Sequence, residues 1–189
     1  MNFALRGLFV FICAAGLYAQ APAAGPAPAG LETNWEIAPV LQEIAAHAGR
    51  LLPVLDGIHA QAWVEKGASD TYLAQLQSSK EQAKALQAEA KSLAASPEHL
   101  SSSLQVLFRI QGLDSLLASL EEGIRKYQGA ADAQALARVA AQNGANRDRL
   151  QHYVVNLAAE REQDLQVMDR EAQRCRGILT QAPPSGRKR

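Results

Sequence analysis

A chain of 189 residues with 48% hydrophobic content is long enough to bury one substantial core and too short to argue for two domains. Lys plus Arg equals Asp plus Glu at 19 each, so there is no general basic field of the kind that draws in nucleic acid. The charge is uneven along the chain: twelve acids stand against eight bases between Glu32 and Gln128, residues 129–179 carry seven of each, and Arg187, Lys188 and Arg189 make a basic end.

The N-terminus reads as a secretory signal peptide over residues 1–19. Arg6 precedes the uninterrupted apolar run Leu8–Ala15, and small residues then offer cleavage after Ala19 or after Ala21. The cut after Ala19, which leaves Gln20 first, is preferred because the other places Pro22 at the first mature position. About ten strongly apolar residues fall short of the roughly 20 that span a bilayer. Ile12 stands directly before Cys13, where lipid-attachment sites carry a small residue, so no lipid anchor is expected. Residues 20–32 form a linker, and its Pro22 to Gly30 stretch of Pro, Ala and Gly has no apolar period.

Beyond the linker an apolar or small residue recurs every three to four positions almost to the C-terminus. A mean repeat of 3.5 keeps these residues on one helix face, which predicts an all-α fold. The expected architecture is a mostly antiparallel bundle of four long helices, five if the last divides, with coiled-coil character, as a single domain over 33–180.

The first predicted helix starts at Thr33 or Asn34, stops near Gly67, and carries Ile37, Leu41, Ile44, Ala48, Leu51, Leu55, Ile58 and Ala62 on its seam. Pro39 falls in its first turn or so, whereas the interior Pro53 predicts a kink around Gly49 to Pro53. The second, capped by Ser69 or Asp70, reaches Ala95 on a seam of Tyr72, Leu76, Ser79, Ala83, Leu86, Ala90 and Leu93. Ser96 then reads as an N-cap with Pro97 at the first helical position. The third helix, ended by Gly129, has the widest apolar set, from Leu104 through Leu113, Leu117 and Leu120 to Tyr127, so it is expected to be the most buried.

From about Asp132 to Leu179 the period resumes without proline, enough for one helix of about 70 Å. Asn143 and Gly144 are its weak point, where the segment divides if it is two helices. Leu150, Val154, Leu157, Arg161 and Leu165 step 4, 3, 4, 4, a stutter that locally unwinds a left-handed supercoil. Arg147, Arg161 and Asp164 fall on or beside this stripe, and the expectation is that the stripe turns there to solvent or to a partner. Residues 181–189 read as a disordered basic tail.

Loss of the signal peptide takes Cys13 and leaves Cys175 as the only cysteine, so no internal disulfide can form. Leu165, Met168, Ala172, Cys175 and Leu179 step 3, 4, 3, 4, which places the thiol on the seam as a small, inert core hydrophobe. The competing reading is an intermolecular disulfide through Cys175, with the other four residues as an interaction surface.

No catalytic constellation is present. Helical bundles that hold two irons use Glu-x-x-His pairs, and none exists here. Glu43 and His47, four apart, share a face but are too few for a metal site. His59, His99 and His152 lie in three different predicted helices and read as surface or rim residues. There is no CxxCH, HExxH, GxSxG, P-loop or Ser-x-x-Lys motif, so no enzyme, cofactor or metal is expected. Trp35 and Trp63 bracket the first helix and read as caps on the ends of a core.

These features predict a non-catalytic exported protein, periplasmic or extracellular, acting in self-association or with a protein partner through its long last helix. Nucleic acid and a stable membrane anchor are not expected. The alternative is an envelope binder or carrier of an apolar ligand or of unfolded polypeptide, using the Leu-rich face of the third helix, Leu113 to Ile124.

Overall fold

Ile37, Leu41, Ile44, Ala48, Leu51 and Leu55, six positions on one face of a single helix, are each at most 1% exposed. That helix is α1 (Asn34–Asp56), followed by α2 (Ala60–Glu65), α3 (Thr71–Ala95), α4 (Leu100–Tyr127), α5 (Ala130–Ala141) and α6 (Gly144–Thr180). The computed structural model describes residues 34–180, with side chains from Ile37 onward. The expected signal peptide, linker, basic tail and Trp35 side chain lie outside the described residues. Among the described residues there is no strand.

The helices pack against one another. Helix α1 lies against α3, α5 and α6, and α4 lies against the same three helices. Of the seam expected for the second helix, Leu76, Ser79, Ala83, Leu86, Ala90 and Leu93 are the buried face of α3, while Tyr72 at its start is half-buried. Half of the buried positions, Ser79, Ala83 and Ala90, are small, and Ser79 satisfies its hydroxyl by donating to the Gln75 carbonyl at 2.8 Å.

Helix α1 is the most densely buried helix, which corrects the expectation for the third. Nine of its residues are buried: Ile37, Val40, Leu41, Ile44, Ala45, His47, Ala48, Leu51 and Leu55. Helix α4 also buries nine but spreads them over 28 residues, and its Phe108 stands 62% exposed. A wide apolar set measures how much of a helix is greasy, whereas burial depends on how many sides neighbours cover.

Several boundaries also differ from those expected. Helix α1 stays helical through Pro39 and Pro53 and breaks only after Asp56, well short of Gly67. Gln128, just past α4, holds the break by donating to the Gly57 carbonyl at 3.3 Å and accepting the His59 N–H at 3.2 Å. Helix α4 begins at Leu100 rather than Pro97. The Pro97 carbonyl accepts the Tyr153 hydroxyl at 2.8 Å and the Ser103 hydroxyl at 3.3 Å, so side chains of α6 and α4 pin the α3–α4 turn. Gly129 closes α4 as expected, with its N–H on the Ile124 carbonyl at 2.8 Å. The last segment is two helices, interrupted at Gln142 and Asn143, directly before Gly144.

One end of the core is aromatic. Trp63, 1% exposed, meets the edge of Tyr72 at 5.6 Å between centroids and stacks on Tyr127 at 6.1 Å. Gly123 of α4 closes this box from the fourth side, because a Cβ there would come within 2.7 Å of the Tyr72 ring and 3.0 Å of Trp63.

Candidate functional site

Helix α6 has two unlike halves. Its first fourteen residues bury Leu150, Tyr153, Val154 and Leu157 against the bundle, whereas every residue from Ala159 to Thr180 is exposed. The reason lies in the lengths of the neighbours. Tyr153 reaches the Pro97 carbonyl and the Arg161 guanidinium reaches the Glu98 carbonyl at 3.3 Å, so α6 passes the α3–α4 turn between these residues. Beyond Arg161 no described helix remains to face it, and at 1.5 Å per residue about 30 Å of α6 projects past the bundle. The stutter at Arg161 therefore marks the place where the apolar stripe leaves the core.

Leu165, Met168 and Leu179 are 64%, 67% and 84% exposed, with Ala172 exposed between them. Cys175 is exposed as well, which corrects its expected place in the core: the stripe continues, but nothing packs on it within the chain. Val167 and Ile178, at 44% and 64% exposed, widen the ridge on its flanks. They were not expected from the 3, 4 stepping, since each sits one position off it. The projecting half is held by contacts within its own turns, Arg161 to Asp164 at 3.5 Å, Gln173 to Asp169 at 2.8 Å and Arg174 to Glu171 at 3.4 Å. Exposed pairs of this kind contribute little, so an isolated helix of this length is marginal in water.

Arg147 and Arg161 do not meet. Arg147 bridges α6 to α4 through Asp114 at 3.2 Å and also pairs with Asp148, while Arg161 sits at the bundle's end with Asp164. Beside Arg147 an open cleft of about 360 Å³ lies between α4, α5 and the start of α6, walled by Leu117, Leu136 and Asn143. Asn143 is 3% exposed and its Oδ1 has no partner.

Of the histidines, His47 is the buried one, while His59, His99 and His152 are exposed. His47 is 2% exposed, between Ile44 and Leu51 on the buried face, a 3, 4 step that carries the signal. Its Nε2 lies 2.8 Å from the Val139 carbonyl of α5. A carbonyl only accepts, so Nε2 carries the proton and Nδ1, buried without a partner, is bare. Burial pushes the imidazole below its ordinary value, against the Val139 bond that raises it. Glu43, four positions before it, is paired with Arg50 at 2.6 Å. Among the described residues no three of His, Cys, Asp and Glu converge on a metal-sized site.

The Leu-rich face of the third predicted helix is enclosed: Leu113, Leu117, Leu120 and Ile124 are at most 2% exposed. No described helix is long and apolar enough to cross a membrane. No protein-family model, curated protein or solved structure matches this chain.

Proposed function

We propose that this is a non-catalytic exported protein, an antiparallel helical bundle with coiled-coil character whose last helix extends beyond it to mediate self-association. The export part rests on Arg6 and the apolar run Leu8–Ala15 before Ala19. The antiparallel sense has support from the α3–α4 pairs, since Gln75 bonds Ser119 while Glu89, further along α3, bonds Arg109, earlier in α4. The 3, 4 stepping of buried residues on α3 supports the coiled-coil character.

The observation that carries the proposal is the projecting ridge of Leu165, Met168 and Leu179, which a monomer leaves in water. Scattered exposed apolar side chains are ordinary, but a continuous stripe on a helix with nothing beneath it is an interface waiting for a surface. A carrier working through Leu113 to Ile124 has less support, because a ligand there would have to displace packed core.

Sedimentation of the chain from Gln20 onward, over a range of concentrations and with reductant present, tests this reading. A concentration-dependent oligomer is expected for the wild type, and Leu165→Glu with Met168→Glu should weaken it at least tenfold. These exposed positions leave the fold intact, so circular dichroism should match the wild type at low concentration. A strict monomer at every concentration removes the proposal.

A further inference from the structure

The ridge matches a second copy of itself better in one direction than in the other. From Glu160 to Asp169 the projecting segment carries Glu160, Glu162, Asp164 and Asp169 against the single base Arg161, whereas from Arg170 to Leu179 it carries Arg170, Arg174 and Arg176 against the single acid Glu171. Its size pattern has the same polarity, with large Leu165 and Met168 first and small Ala172 and Cys175 after them. Resting on the self-association reading above, we propose that the occupant of this ridge is a second copy of the same segment laid antiparallel, centred near Arg170.

In that register Leu165 faces Cys175 of the second copy, Met168 faces its Ala172, and Leu179 faces its Arg161, with each layer repeated by the twofold axis. Every apolar layer then sets a large side chain on a small one, which fills space as close packing requires. The acidic half of each helix lies on the basic half of the other, and Glu162 flanks Arg176. A parallel pairing stacks Ala172 on Ala172 and Cys175 on Cys175, two adjacent thin layers that leave a void, and drives Arg161 against Arg161. Like charges meet on the flanks in both arrangements, Asp169 and Glu171 with their own copies in the first and Asp164 with Asp169 in the second. The core layers and the placement of Arg161 therefore decide the direction. An isologous contact of this kind closes on itself, so the species is a dimer rather than a filament. It holds the two bundles at opposite ends, with their Leu157 residues about 40 Å apart.

The test is disulfide mapping in the Leu165→Cys variant, which keeps Cys175. Oxidised glutathione accepts the two electrons and two protons released as each pair of thiols closes, and the bridged peptides are identified by mass spectrometry. Antiparallel pairing predicts bridges between residue 165 of one copy and residue 175 of the other. It also predicts that the oxidised wild-type dimer lacks a Cys175 to Cys175 bridge, since those residues lie about ten positions apart along the pair. Bridges of 165 to 165 and 175 to 175 overturn the direction while leaving self-association standing, and a dimer in which no bridge forms overturns the register. Sedimentation of the same samples under reductant separates both from the failure of self-association itself, which a monomer would show.

Discussion

Gly123 and Gly112 sit three turns apart on α4 and predict opposite responses to one substitution. A Cβ at Gly123 would press on the Tyr72 and Trp63 rings, which are locked by their own stacking and have little freedom to yield. Overpacking of this kind costs about 1 to 3 kcal/mol, more than the helix propensity alanine gains over glycine, so Gly123→Ala should lower stability by about 1 kcal/mol and the melting temperature by a few degrees. Gly112 is exposed with nothing within 4 Å of its Cβ direction, so Gly112→Ala should raise stability by about 0.5 to 1 kcal/mol. Thermal unfolding of the two variants beside the wild type checks both signs. His47 predicts a pH effect. Its folded-state pKa lies below the ordinary value of 6.5, chiefly from burial, with Arg50 adding to the depression and Asp114 and Glu43 opposing it. The unfolded chain therefore takes up the proton first as the pH falls. The contribution of His47 is fully present above about pH 6.5 and is lost on acidification through the folded value, with a slope of at most about 1.4 kcal/mol per pH unit. Urea midpoints at about pH 7.5 and about pH 5 should show a fall that His47→Gln, which keeps a donor for the Val139 carbonyl, reduces. The stepping places His47 on the buried face, but what confines Gly123 and His47 is not written in one dimension, because those groups come from α2, α3 and α5.

Helix α6 is where the local pattern and the assembled chain part company. The stepping through Leu165, Met168, Ala172, Cys175 and Leu179 is as regular as that of α3, yet α3 buries its seam from Leu76 to Leu93 and α6 buries nothing past Leu157. A chain ending at Glu162 loses no buried side chain and keeps the Arg161 bond to Glu98, so it should melt within about 2 °C of the full-length monomer while losing all concentration-dependent association. A large drop in its melting temperature would mean that the distal half packs on its own bundle. The break at Gln142 and Asn143 was legible as the weak point of the last segment, because glycine beside asparagine interrupts helix propensity wherever it falls. The break after Asp56 was not, since Gln128 holds it from just past α4, 71 positions away from the Gly57 carbonyl it bonds.

Across the whole chain, spacing alone was enough to establish that the described residues are helical and which side of most helices turns inward, because 3.6 residues per turn is a local property written wherever apolar residues recur every three or four positions. Ile37 to Leu55 and Leu76 to Leu93 were readable on those grounds. Spacing is blind to whether a greasy face is met, since that depends on where the neighbouring helices end. The turn at Pro97 and Glu98 sets that limit for α6, and it is fixed by hydrogen bonds from Tyr153 and Arg161, residues more than fifty positions away. The same stripe is therefore core up to Leu157 and open ridge from Leu165 onward, a division made by the packing of separate helices rather than by the order of side chains along any one of them.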